Sequence, residues 1–100
     1  MVKHIILWEL KDEYSANEKA EIKKNIKCGL EGLLGEIPGL IDIKVHAEGL
    51  SSSNVDLMLD SSFENEASLK GYSVHPKHVH IADTYVRPFI SKRSCIDFEI

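Results

Sequence analysis

The chain predicts one α+β domain, residues 1–100, of element order β-α-β-β-α-β, and three observations carry that prediction. Period-two alternation marks strands near residues 2–10, 41–46, 55–60 and 94–100. An apolar stripe at three- and four-residue spacing marks a long helix near residues 16–34. A second helical stretch begins near Phe63 and is broken at Pro76, because the residue before a proline is pushed out of the α region. Elements in this order form the split-βαβ, ferredoxin-like arrangement, a four-stranded antiparallel sheet with helices on one face. A chain of 100 residues can bury one such core but not two.

Each element has its own warrant. In the first strand Val2, His4, Ile6, Trp8 and Leu10 share one face, and Lys3, Ile5, Leu7 and Glu9 the other. Lys11-Asp12-Glu13 is a polar turn, and Ser15 with Glu18 reads as a capping box opening the helix. Ile22, Ile26, Leu30, Leu33, Leu34 and Ile37 form its apolar stripe. Gly29, Gly32 and Gly35 weaken its end. Gly35 reads as a left-handed cap, in preference to a close approach of another backbone. In the second strand Ile41, Ile43 and Val45 make the dry face. In the third, Val55, Leu57 and Leu59 oppose Asp56, Met58 and Asp60. Ser61 with Glu64 reads as a second capping box, which predicts a helix over 63–74 with Phe63, Ala67, Gly71 and Val74 on one side. After Pro76, helical spacing joins His78, Ile81, Ala82, Tyr85 and Phe89, and Pro88 ends the element. Ile96, Phe98 and Ile100 share a face of the last strand.

Composition removes several function classes. With 43% hydrophobic and 28% charged residues the chain reads as an ordinary soluble domain. Sixteen acidic against twelve basic residues give a net charge of −4, and no basic stripe offers itself to nucleic acid. The longest apolar run, Ile5 to Trp8, is far too short for a bilayer and lacks the flanks of a signal peptide. Cys28 and Cys95 have no metal-type spacing, so reduced thiols and a cytoplasmic location are expected over a Cys28–Cys95 bridge. Ile5, Leu7 and Met58 put apolar surface on the sheet face that the helices leave bare. The economical cover is a second copy of the chain, so a homodimer through the open sheet face is expected.

The densest chemistry runs from Tyr72 to Asp83, where His75, His78 and His80 fall within six residues. Pro76 fixes a bend between the first two, and His80 lies about 200° around a helix from His78. The three therefore do not converge, and no side-chain metal site is expected. A neutral imidazole of pKa ~6.5 suits proton abstraction next to a carbonyl, and a phenol suits donation to the oxyanion that forms. Periodicity alone, however, sets Tyr72 opposite the Phe63–Ala67–Val74 stripe.

Met1 to Trp8, the Lys11-Asp12-Glu13 turn, and Tyr72-x-x-His75-Pro76-x-His78-Val79 with Asp83 resemble the stress-responsive dimeric α/β-barrel (Dabb) domain, as do Phe63-Glu64 and Ile96-Asp97-Phe98. The resemblance implies a ferredoxin-like protomer whose sheet pairs with a partner's to form a barrel. It implies no single activity. In plant polyketide cyclases of the family, which work without a cofactor, a tyrosine and a histidine carry an aldol condensation; these match Tyr72 and His78, and a strand-one histidine matches His4. Some relatives hold a divalent cation on backbone carbonyls in the connection corresponding to Leu34–Leu40. The resulting expectation is a pocket between sheet and helices for a small apolar or aromatic metabolite, lined by His4, Ile6, Trp8, Leu57, Leu59 and Ala82, with no cofactor. A cofactor-independent cyclase or monooxygenase using Tyr72 and His78 is one alternative. A non-catalytic, stress-associated dimer with a packed, vestigial pocket is the other.

Overall fold

The computed structural model describes residues 1–100. Its strands are β1 (Val2–Leu10), β2 (Leu40–His46), β3 (Leu57–Phe63) and β4 (Ile90–Glu99), and its α-helices are α1 (Ala16–Glu31), α2 (Glu66–Val74) and α3 (Pro76–Ile81). A π-helical turn, Ala82–Val86, and a 3-10 turn, Arg87–Phe89, join α3 to β4. The strands form one antiparallel sheet in the order β2-β3-β1-β4. The ferredoxin-like arrangement is therefore observed, with β1 and β3 central and the helices on one face.

Side-chain alternation in β1 sends Val2, His4, Ile6, Trp8 and Leu10 into the helix-covered core, as the sequence predicts. Helix α1 starts at a complete capping box, Glu18 N donating to Ser15 Oγ and Ser15 N to Glu18 Oε1. Ile22, Ile26 and Leu30 form its buried stripe. The helix stops at Glu31, three residues before Leu34. Leu33 and Ile37 still reach the core from the turns that follow, while Leu34 lies exposed. Gly35 adopts the left-handed conformation expected of it, at φ 86°, but beyond the helix end. Gly29 is a close-approach site after all: a Cβ there would sit 3.0 Å from Ile81 Cγ2, so the neighbour is a side chain of α3 and not a backbone.

Three further expectations are corrected. In β2 the register against β3 shifts between Leu40 and Asp42, so Ile41 turns outward while Ile43 and Val45 stay buried. The strand β3 runs through Ser61 and Ser62 to Phe63, because Val2 and His4 of β1 pair with Phe63 and Ser61. Ser61 Oγ donates to His4 O at 2.8 Å inside the sheet, so it is not a cap. The cap of α2 is Asn65, whose Oδ1 accepts from Ser68 N at 2.8 Å. Moving the helix start re-phases the helix: Leu69 and Tyr72 face the core and Val74 is 76% exposed. Finally, β4 begins at Ile90 rather than Ser94 and pairs along the whole of β1.

The opposite sheet face is covered by no element of the chain. Ile5 lies between Ile96 and Asp60, Leu7 between Ser94 and Met58, and Lys3 beside Phe98. Ile96 and Phe98 are exposed there. No helix of the chain is long and apolar enough to cross a membrane.

Candidate functional site

A cavity of about 390 Å³ lies between the helix-side face of the sheet and the α2–α3 segment. Its apolar wall comes from Ile6 and Trp8 on β1 and Leu59 on β3, with Ala82 and Val86 of the π-helical turn. The cavity exists because β4, at the edge, carries Arg93, Cys95 and Asp97 on the same side as Trp8, Ile6 and His4 and has no helix packed over it. Of the residues the sequence nominated for the lining, His4, Ile6, Trp8, Leu59 and Ala82 are there. Leu57 is not. It is buried beside Trp8 on the inboard strand, in the packed core.

Tyr72 and His78 come together at this cavity. Asn65 sets the phase that points Tyr72 inward, and Pro76 at the first turn of α3 brings His78 back over it, with ring centroids 4.1 Å apart. His75 caps α3, its Nδ1 accepting from Lys77 N at 3.2 Å. His80 is exposed, and Asp83 is tied to Arg87. The histidine cluster of the sequence is thus dispersed into a pocket residue, a cap and a surface residue. No metal-binding group forms from it.

Tyr72 is 2% exposed, and its hydroxyl is buried without a hydrogen-bond partner in the chain. Burial pushes its pKa well up, against a smaller opposing pull from Arg93, so the phenol stays protonated. For His78, burial lowers the pKa, and the charges of Arg87 and His4 add to the effect. The Ser73 carbonyl and Asp83 oppose it. His78 Nδ1 lies 3.3 Å from Ser73 O. A carbonyl only accepts, so Nδ1 must donate, and the neutral ring keeps its lone pair on Nε2. A protonated phenol thus stands against a neutral imidazole with one basic nitrogen.

His4 makes a second polar group. It is buried, edge-on to Tyr72 at 6.1 Å, and its Nδ1 pairs with the Asp97 carboxylate. Cys95 Sγ lies 3.8 Å from the same nitrogen and 3.6 Å from Asp97 Oδ1. Burial and then Asp97 raise the Cys95 pKa, so the thiol is kept protonated. The three ligand-type atoms lie within 4.8 Å of one another and could occupy three positions around a zinc ion, although Asp97 already uses His4 Nδ1. The sequence reading missed this group and also Arg87, Lys92 and Arg93 at the cavity. Cross-strand register would have found Arg93, since it pairs with Trp8, but that register begins at Ile90, outside the strand expected from periodicity.

A four-stranded antiparallel sheet covered by helices on one face and bare on the other defines the class of ferredoxin-like α+β proteins. Within it, the chain belongs to the Dabb family, the stress responsive A/B barrel domain, whose model matches residues 2–100. It is similar to olivetolic acid cyclase of Cannabis sativa, 28% identical over an alignment of 100 positions that covers 97% of this chain and 94% of that protein. A dimeric, ferredoxin-like protein of unknown function from Bacteroides fragilis superposes with a TM-score of 0.92 at 29% identity, covering 99% of this chain and 95% of its own. The hydroxynitrile lyase of Passiflora edulis shares the fold, with a TM-score of 0.73 at 16% identity, over 99% of this chain and 92% of the lyase.

Proposed function

We propose that the chain binds a small apolar or aromatic metabolite in the cavity under Tyr72 and His78. The observation that carries this is the buried Tyr72 hydroxyl without a partner in a residue that lines a cavity of about 390 Å³. Leaving a buried hydroxyl unpaired costs about 1–3 kcal/mol, a penalty that a ligand acceptor would remove. The volume lies within the range of small-molecule sites, and Trp8, Ile6 and Leu59 supply the apolar wall such sites use. A vestigial pocket would be packed, and the cavity of about 390 Å³ supports the binding reading instead.

Proton transfer is the second reading, favoured by the state of His78 and supported by the similarity to a cyclase. His78 Nε2 would take the proton α to a carbonyl, leaving an enolate whose oxygen the Tyr72 hydroxyl stabilises. In an intramolecular aldol condensation the enolate carbon then bonds a second carbonyl carbon, the proton passes to the new alkoxide, and the resulting hydroxyl leaves with a second α hydrogen as water. The same pair would suit a cofactor-independent oxygenation equally, so the reaction class follows from the ligand. His4 is assigned to the wall as a polar contact, oriented by its pairing with Asp97 outside the lining.

The functional unit in this reading is a homodimer joined through the bare sheet face with Ile5, Leu7, Met58, Ile96 and Phe98, in the cytoplasm, where Cys28 and Cys95 remain free thiols. A thermal-shift screen of small aromatic and polyketide-like compounds, run on wild type and His78→Ala, tests the site. Hits should shift the wild type and shift the variant less. Turnover of a hit that is unchanged in His78→Ala ends the proton-transfer reading, and a screen with no hits ends the pocket reading.

A further inference from the structure

The charge of the cavity departs from that of the chain. The protein carries sixteen acidic and twelve basic residues, yet the cavity lining contains Arg87, Lys92 and Arg93 and no aspartate or glutamate. Two of these cations are already engaged: Arg87 pairs with Asp83, and Lys92 Nζ lies 3.9 Å from Glu9 Oε2. Arg93 makes no ion pair with any carboxylate of the chain. It stands on β4 opposite Trp8 in register, on the helix-side face, and lines the cavity, where its charge opposes the effect of burial on the Cys95 thiol. Its charge is also felt inside, where it opposes the effect of burial on Tyr72.

We infer that the cavity selects an organic anion, a small carboxylate with an apolar or aromatic body, and that Arg93 is the residue that pairs its acid group. This rests on the pocket reading above and adds the charge of the ligand to it. A guanidinium presents its donors in a fixed fork that fits a carboxylate with two parallel hydrogen bonds. An apolar body then lies along Trp8 and Ile6, beside Tyr72 in the lining. A carboxylate also supplies a partner for Arg93, which is exposed on the edge strand and in no ion pair within the chain. In this arrangement Arg93 fixes which end of the ligand enters first, and it takes no part in proton transfer.

The test uses two fluorescent probes, dansylglycine and dansylglycinamide, which differ only in carboxylate against carboxamide, titrated into the purified full-length protein at low ionic strength. The carboxylate probe is expected to bind wild type about tenfold more tightly than the amide, the equivalent of about 1.4 kcal/mol. In Arg93→Gln the gap should close by weaker carboxylate binding, with the amide unchanged. Arg93→Lys should restore part of it, since lysine keeps the charge and loses the fork. Equal binding of the two probes to wild type, or a gap that persists in Arg93→Gln, overturns the inference and leaves the pocket reading standing. A blocking variant at an exposed lining position, Ser73→Trp, should abolish binding of both probes. If neither probe binds wild type, or if both bind Ser73→Trp as well as they bind wild type, the pocket reading falls and the anion inference with it.

Discussion

Replacing Tyr72 with phenylalanine should make the free protein more stable and its site worse. The ring is fully packed, at 5.0 Å from Phe63, 6.1 Å from His4 and 4.1 Å from His78 between centroids. Phenylalanine keeps every one of those contacts and removes only the hydroxyl, the single buried side-chain polar atom in the chain without a partner. An unpaired buried hydroxyl costs about 1–3 kcal/mol of desolvation, and no hydrogen bond is lost when it goes. The expected gain is therefore about 1 kcal/mol or more, or about 4–8 °C in Tm for a domain of this size. Urea denaturation at one fixed protein concentration measures it, since any subunit association would otherwise enter the midpoint. Ligand affinity should move the other way, because the phenol would donate to the ligand. A Tyr72→Phe protein that loses about 1 kcal/mol would refute the reasoning: the hydroxyl would then be hydrogen-bonded in solution, by water or by a partner subunit, and would hold the fold rather than await a ligand.

Phe63 and Val74 separate the predicted and observed phases of α2. Phe63→Ala should cost about 3–5 kcal/mol because a fully buried aromatic is removed, while Val74→Ala should stay within about 0.5 kcal/mol of wild type in the same urea titration. Burial lowers the folded-state pKa of His78 below the ordinary 6.5, so between the two values the unfolded chain takes a proton that the folded chain refuses. Its contribution is therefore complete above pH 6.5 and lost as pH falls through the folded value; stability curves of wild type should bend downward there, and His78→Gln should show a shallower fall. Ile96→Lys places a charge on the sheet face proposed for the dimer, where Ile96 pairs with Ile5, and sedimentation is expected to find dimer for wild type and monomer for the variant.

The legible part of this fold is the part written in periodicity. The alternation of β1 identified the buried faces of His4, Ile6 and Trp8, and the stripe of α1 identified Ile22, Ile26 and Leu30. Errors gathered where two local signals competed and the sheet decided between them. Ser61 with Glu64 satisfies a capping-box spacing, but β1 offers unpaired backbone as far as Val2, and pairing with it draws Ser61 and Phe63 into the strand. That shift of a few residues turns the helix and brings Tyr72 inside, so its orientation stayed unreadable from helical periodicity, although the resemblance to Dabb domains had nominated Tyr72 and His78 as candidates. Ile41 failed for a similar reason, since a register shift is invisible to a count of alternating residues. Arg93 and Cys95 sit on an edge strand exposed on both faces, which carries no pattern of burial to read.

The same comparison explains why the cavity lies where it does. A four-stranded sheet needs cover along its whole helix side, and α1 with α2 provides it over β2, β3 and part of β1. The break at Pro76 and the π-helical turn at Ala82–Val86 then carry the chain past β4 without closing over it. π-Helical turns are energetically poor and concentrate at functional sites, because the extra residue re-aims the side chains around it. Here the re-aimed pair is Ala82 and Val86, both in the cavity wall. An unpaired buried phenol, a histidine whose pKa burial lowers and a π-helical turn each run against local stability, and all three border one space, which Arg93 also lines. Local rules broken singly across a chain would indicate tolerated imperfection. Broken together around one cavity, they support the proposal that this cavity takes a ligand.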